Sequence, residues 1–155
     1  MGAGVVIIGG GGHAKVVIES LRARGETVAA IVDADPTPRM VLGVPVIGDD
    51  LKLPELRGQG LSDLFVAIGD NRLRQKLGRK AREQGFVLVN AIHPSAVISP
   101  TVRIAEGVAV MAGAVINADS SVGDLTIVNT GAVVDHDCQL GAACHVGPAS
   151  ALAGA

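Results

Sequence analysis

Apolar residues follow two different rhythms along this chain. In the first ninety or so positions, apolar runs alternate with glycine, aspartate and charged residues. Val5 to Ile8 is an unbroken β-branched run, the pattern of a strand buried on both faces. Gly9 to Gly12 breaks that run, and Val16, Val17, Ile18 and Leu21 then give a helical stripe ending at Gly25. Val28 to Val32 predicts a second buried strand, closed by Asp33-Ala34-Asp35-Pro36, and Val44 to Ile47 predicts a short third. After a polar connection, Leu64 to Ile68 reads as another strand, stopped by Gly69-Asp70-Asn71. Arg72 to Gln84 reads as a helix and Phe86 to Val89 as the last strand. Such alternation implies a parallel sheet with right-handed crossovers, in which ligands gather at the carboxyl ends of the strands.

The second rhythm has a period of six. Ile98, Ile104, Val110, Ile116, Val122, Val128, Val134, Leu140, Val146 and Leu152 follow one another at this spacing without a slip. Two residues before each lies a small or β-branched residue: Ala96, Val102, Val108, Ala114, Ser120, Thr126, Ala132, Cys138, Cys144 and Ser150. Six is neither a helical period nor simple strand alternation. It fits a solenoid in which each hexapeptide makes one short flat face and a turn, the large aliphatic filling the axis. Three hexapeptides close one triangular coil, so the spacing predicts about three coils from Ile98 onward. The chain therefore divides into an α/β domain with a parallel sheet, half-Rossmann-like, over 1–92 and a parallel β-helix over 93–155.

Composition narrows the picture. Of 155 residues 48% are hydrophobic and 21 are glycine, yet there are only two Phe and neither Trp nor Tyr. The narrow axis of a hexapeptide prism, which has no room for rings, accounts for this. A formal charge of −2 and the lack of stacking aromatics argue against nucleic acid as the main partner. Mean hydropathy is +0.45, but charge or glycine interrupts every apolar run short of the ~20 residues a membrane span needs. The N-terminus has no basic segment ahead of its apolar run, so no signal peptide is read and the expected location is cytoplasmic. Two cysteines make neither a disulfide scaffold nor a four-ligand zinc site, and no metal is expected. Cys138 and Cys144 fall in the small-residue slot of the ladder, which gives them a packing role in place of an acyl-enzyme role.

The hexads, together with Ile8-Gly9-Gly10-Gly11-Gly12-His13-Ala14-Lys15, Ala67-Ile68-Gly69-Asp70-Asn71, Ile92-His93-Pro94-Ser95-Ala96 and Asp135-His136-Asp137, carry a resemblance over essentially the whole chain. It resembles the left-handed β-helix acetyltransferases of surface-glycan sugars, in the branch that N-acetylates nucleotide-linked 4-amino sugars. That resemblance implies acetyl-CoA as co-substrate, a nucleotide sugar such as GDP-perosamine as acceptor, and a homotrimer with interfacial active sites. O-acetylation of a sugar such as sialic acid, and a catalytically incomplete module that only binds nucleotide sugar, are the alternatives. The family carries further coils after the catalytic turn, whereas this sequence stops at Ala155 in mid-hexad. The expectation is a chain truncated at that end.

Amide formation from a thioester needs a free amine and a group to take its proton. Histidine, with an ordinary pKa of ~6.5, suits that role. His136 lies two residues beyond axial Val134, near a turn and pointing outward, with Asp135 and Asp137 beside it. By spacing alone this is either a solvated turn or a base. The resemblance assigns His136 as general base and Asp137 as the carboxylate that orients it. It also matches His145, immediately before axial Val146, to a histidine that contacts acetyl-CoA; the other reading is a surface histidine beside a corner. His145 is half a coil from His136, so a shared site would draw the two from neighbouring subunits.

Gly9-x-Gly11-x-x-Ala14 after a strand, with Asp33 some twenty residues on, has the form of a dinucleotide fingerprint. A domain of this size is only one mononucleotide-binding half. The resemblance places Gly11, Gly12 and His13 at the phosphates and sugar, Asp33 and Ala34 at the base and ribose, and Gly69 on the facing loop. Lys15 is either a pyrophosphate contact or a solvated first-turn lysine. The basic run Arg72, Arg74, Lys76, Arg79, Lys80 and Arg82 reads as a solvated helix face, with Arg74 within reach of a phosphate. His93, before Pro94, opens the solenoid.

Overall fold

The computed structural model describes residues 4–154. Its backbone contacts divide the chain into two compact units, one ending at Val89 and the other beginning at Asn90. This is slightly earlier than a boundary after Ile92, because Ala91–Ile92 already forms a solenoid strand paired with Ala109–Val110.

The N-terminal unit is a six-stranded sheet. Its strands are β1 (Val5–Ile8), β2 (Val28–Val32), β3 (Arg39–Val41), β4 (Val44–Val46), β5 (Asp63–Val66) and β6 (Val87–Leu88). They lie in the order β3-β4-β2-β1-β5-β6, parallel except for the β3–β4 hairpin. That hairpin turns on Leu42 and Gly43, both with positive φ (47° and 78°), as the tight two-residue turns that suit strand twist require. The leucine hides the turn signal, so β3 is absent from the pattern of the sequence. The polar connection after β4 likewise folds, into a 3₁₀ turn (Asp50–Lys52) and helix α2 (Leu53–Gly58), with Leu53 and Leu56 buried. Helix α1 (Gly12–Ala23) buries Val17, Ile18 and Leu21 of the predicted stripe together with Ala14, while Val16 is half-buried, and helix α3 spans Asn71–Glu83.

The second unit is a parallel β-helix with two-residue strands on three sheets. One face stacks β7 (Ala91–Ile92), β10 (Ala109–Val110), β13 (Ile127–Val128) and β16 (His145–Val146). A second stacks β8 (Val97–Ile98), β11 (Val115–Ile116), β14 (Val133–Val134) and β17 (Ala151–Leu152). A third stacks β9 (Arg103–Ile104), β12 (Ser121–Val122) and β15 (Gln139–Leu140). Axial Val110, Ile116, Val122, Val128 and Val134 and slot residues Val108, Ala114 and Ala132 form one buried cluster.

Two further regularities hold the coils in register. Positive φ recurs every sixth residue, at Gly107, Gly113, Asp119, Leu125, Gly131, Asp137, Ala143 and Ala149. Each of these residues precedes the small slot and makes the corner. At two polar slots the side chain bonds the backbone of the next coil. Ser120 Oγ donates to Asp135 O at 2.8 Å and accepts from Cys138 N at 3.1 Å. Thr126 Oγ1 does the same for Gly141 O and Cys144 N. Both side chains are fully buried, so these bonds satisfy groups that water cannot reach. Asn90 fills the slot of the first coil in the same way, bonding Ala105 O and Val108 N.

The axial ladder should carry the stability of this unit. Ile116 is 1% exposed and pairs in register with Ile98 and Val134, whereas Val97 on the same face is 63% exposed. Ile116→Ala should cost about 2–5 kcal/mol by urea unfolding, and Val97→Ala within about 0.5 kcal/mol of nothing. Equal losses would mean that the axis does not dominate.

Candidate active site

Two places bear chemistry, one in each unit. In the first, β1 ends at Ile8 and the chain turns at Gly9, where φ is 102°. A Cβ there would lie 2.7 Å from Ala67 O, so only glycine lets the turn pack against the end of β5. Gly11 caps α1 without a side-chain hydrogen bond, leaving the first-turn amides to face outward. A Cβ at Gly11, Gly12 or Gly69 would meet no protein atom within 4 Å. The space those glycines leave open belongs to a cavity of about 510 Å³.

All six residues that the sequence nominates for the nucleotide sugar, Gly11, Gly12, His13, Asp33, Ala34 and Gly69, line this one cavity. Asp33 is tied into it from several sides. Its carboxylate accepts from Gly10 N, from Asp35 N at 2.8 Å, and pairs with Arg39 at 3.4 Å. Burial pushes the Asp33 carboxyl up, but the two amides and the guanidinium outweigh this and hold it below the usual carboxylate range. Lys15 is exposed and not part of the lining.

Arg74 corrects the picture of a solvated basic face. It is fully buried, and its guanidinium donates to Ile68 O (2.9 Å), Gly69 O (3.0 Å) and Asn71 Oδ1 (2.8 Å). It braces the loop that forms one wall of the cavity in place of reaching for a phosphate. Asp70 caps α3 by accepting from Leu73 N. The cavity also takes Asp50, Leu73 and Leu77, which no local motif distinguishes because they meet only through the fold.

In the second unit, His136 and Asp137 stand at the corner between β14 and β15. Asp137 is the left-handed residue of that corner (φ 60°), and its amide donates to Ala118 O. Aspartate tolerates this conformation better than most residues. Its carboxylate thereby meets His136 Nδ1 at 2.8 Å, while Nε2 has no hydrogen-bond partner among the described residues. The Asp135 carboxylate reaches the preceding coil, accepting from Asn117 Nδ2 and from His136 N, both at 2.9 Å. These bonds and Ser120 below fix the backbone on which the ring is mounted. Gly154 lies one coil on: a Cβ there would stand 2.7 Å from Nε2, so the imidazole rests against bare backbone.

The hydrogen bond that Nδ1–H donates to Asp137, then the charge of Asp135, raise the His136 pKa above 6.5. Asn117, and then the His136 amide, hold the Asp135 carboxyl below its ordinary value. The ring is 57% exposed. An imidazole oriented through one nitrogen and bare at the other is the arrangement of a general base. His145 lies on β16, the face opposite the His136 corner, with Nε2 3.0 Å from Asn129 Nδ2. Cys138 and Cys144 are free, and Cys138 Sγ donates to Ala153 O, in keeping with the corner slot. His93 bonds Ser95 through Nδ1 where the solenoid begins. Among the described residues no His, Cys, Asp or Glu group is arranged to hold a metal, and no helix is long and apolar enough to cross a membrane.

Comparison with known proteins bears on both places. Residues 4–81 match the family model of the PglD N-terminal domain. The chain is 84% identical to a histidine-to-alanine mutant of GDP-perosamine N-acetyl transferase from Caulobacter crescentus, solved in complex with CoA and GDP-perosamine. That similarity covers 97% of this chain and 71% of that one, with a TM-score of 0.96. The acetyltransferase domain of PglB from Neisseria gonorrhoeae, in complex with acetyl coenzyme A, is 43% identical over 99% of this chain and 74% of its own, with a TM-score of 0.86. UDP-N-acetylbacillosamine N-acetyltransferase of Bacillus subtilis is 38% identical over 110 residues, which are 70% of this chain and 51% of the relative. The chain thus spans about half the length of that curated relative.

The imidazole–carboxylate bond yields a direct prediction. A raised His136 pKa means that the proton is held more tightly in the folded chain. The associated stability is fully present below the unfolded pKa and is lost as pH rises through the folded one. Asp137→Asn should lower the His136 pKa in an NMR titration of the imidazole proton. An unchanged titration would mean that Asp137 does not hold the ring.

Proposed function

The chain belongs to the family defined by the PglD N-terminal domain, and from that premise we propose that it is an acetyl-CoA-dependent N-acetyltransferase. Its acceptor is the 4-amino group of a nucleotide-linked sugar, GDP-perosamine or a close analogue, in surface-glycan biosynthesis. The observation that carries the reading is the His136 corner, with Nδ1 bonded to Asp137 and Nε2 bare. The complex of the Caulobacter crescentus relative with CoA and GDP-perosamine supports the choice of both reactants.

In this reading Gly11, Gly12 and His13 hold the diphosphate and sugar. The open glycines let the phosphates reach the amides of the α1 N-terminus, which carry partial positive charge. Asp33 and Ala34 lie at the ribose end, and Gly69, braced by Arg74, closes the facing wall. Acetyl-CoA, when bound, supplies an acetyl group activated as a thioester. His136 Nε2 removes a proton from the amine as the new C–N bond forms. The same nitrogen returns that proton to the departing thiolate when the C–S bond breaks. Asp137 keeps Nδ1 protonated and compensates the imidazolium during the transfer. No covalent enzyme intermediate is required.

His136 and His145 leave the prism on opposite sides, at a corner and on the face across from it. One site that uses both, with His145 toward acetyl-CoA, draws them from adjacent copies. This supports the homotrimer and its interfacial sites.

Thiol release from acetyl-CoA with GDP-perosamine as acceptor tests the reading. His136→Ala should lower turnover by ~10²–10⁴, and near-normal turnover would overturn the assignment. Gly12→Ala separates fold from function in the first unit. A methyl at the first position of α1 meets nothing in the protein and should raise helix stability by about 0.5–1 kcal/mol. It should nevertheless weaken GDP binding in calorimetry, since it fills the space taken by the phosphates. Tighter or unchanged GDP binding would remove the glycine turn from the site.

A further inference from the structure

The family resemblance places Asp33 at the base and ribose, yet its carboxylate is already engaged by Gly10, Asp35 and Arg39. A second carboxylate lines the same cavity. Asp50 opens the 3₁₀ turn after β4, and its Oδ2 lies 2.6 Å from Lys80 Nζ. Its Oδ1 has no hydrogen-bond partner among the described residues. Leu73 and Leu77 line the cavity as well, and with Lys80 they fall at i, i+4 and i+7 on one face of α3. Leu73 is 44% exposed. The arrangement is an aliphatic stripe that ends in a carboxylate paired with an ammonium group.

We infer that Asp50 reads the hydrogen-bonding edge of a guanine base lying on Leu73 and Leu77, so that the cavity selects guanosine over uridine nucleotides. This deepens the nucleotide-sugar reading above and rests on it. Guanine presents N1–H and an N2 amino group side by side, two parallel donors that match the two oxygens of a carboxylate. Oδ2 has lone pairs enough to accept from both Lys80 and the base. Uracil presents a single N–H between two carbonyl oxygens, which a carboxylate repels. Adenine presents an unprotonated ring nitrogen beside its amino group and gives one donor only. Lys80 fixes the carboxylate in place before the base arrives, so little rotamer freedom is lost on binding.

Calorimetric titration of the full chain with GDP, IDP and UDP tests this, IDP being the analogue of GDP whose base lacks the 2-amino group. The chain should bind GDP at least tenfold more tightly than UDP, with IDP between them. Asp50→Asn should weaken GDP binding by about tenfold to a hundredfold, the usual worth of hydrogen bonds to a charged group. It should leave UDP within about twofold and abolish the difference between GDP and IDP. Asp50 sits at the surface of the unit, so the thermal midpoint of the variant serves as the control for folding. Equal losses for GDP and UDP, or no GDP–IDP difference in the unaltered chain, would overturn the role of Asp50 and leave the nucleotide reading standing. Failure of the unaltered chain to bind any of the three nucleotides would instead overturn that reading, and this inference with it.

Discussion

Everything chemical in the solenoid depends on register between successive coils, eighteen residues apart. Because the strands of each coil bond to the coils above and below, a side chain can be braced by the residue one coil away. Asn117 reaches Asp135, and Ser120 bonds Cys138 N, at that separation. Both contacts end on the four-residue corner that carries His136. Left-handed residues every six positions keep the register, and at Leu125, Gly131, Asp137, Ala143 and Ala149 the corner amide donates to a carbonyl of the preceding coil, as Asp137 N does to Ala118 O. The ring is therefore held by a stack of coils, and its orientation is settled before any substrate arrives.

The N-terminal unit reaches the same end by another route. Its sheet is ordinary, and what is specific is the space left at the carboxyl ends of β1, β2 and β5. Gly9 lets the backbone bend against Ala67, and Asp33 ties the glycine turn to the end of β2. Arg74 then fixes the wall opposite, with a guanidinium buried among carbonyl oxygens. A cavity with these supports is shaped in advance, which favours a ligand that loses much freedom on binding.

The hexads were legible because burial of one aliphatic per turn writes its period directly into the chain, and Asp135-His136-Asp137 stood out against that period. The glycine turn and Asp33 were legible because a strand, a tight turn and a helix start are local. The corners were only half visible: Gly107, Gly113 and Gly131 mark them, but Leu125, Ala143 and Ala149 adopt the same conformation without a glycine to announce it. Asp50, Leu73 and Leu77 were invisible, since they come together from separate elements. Arg74 was misread, because a basic run gives no sign of which member turns inward. Asn117 and Ser120 become visible once the chain is read at eighteen-residue steps.

In the proposed reaction Asp137 holds His136 with a proton on Nδ1 and leaves Nε2 bare to act as base. Long-range ¹H–¹⁵N correlation spectra, recorded above the pKa of the ring, report the tautomer directly. Neutral His136 should carry its proton on Nδ1, with an Nε2 shift typical of an unprotonated nitrogen. A proton on Nε2 would contradict it, because that nitrogen would then have no lone pair with which to take a proton from an amine.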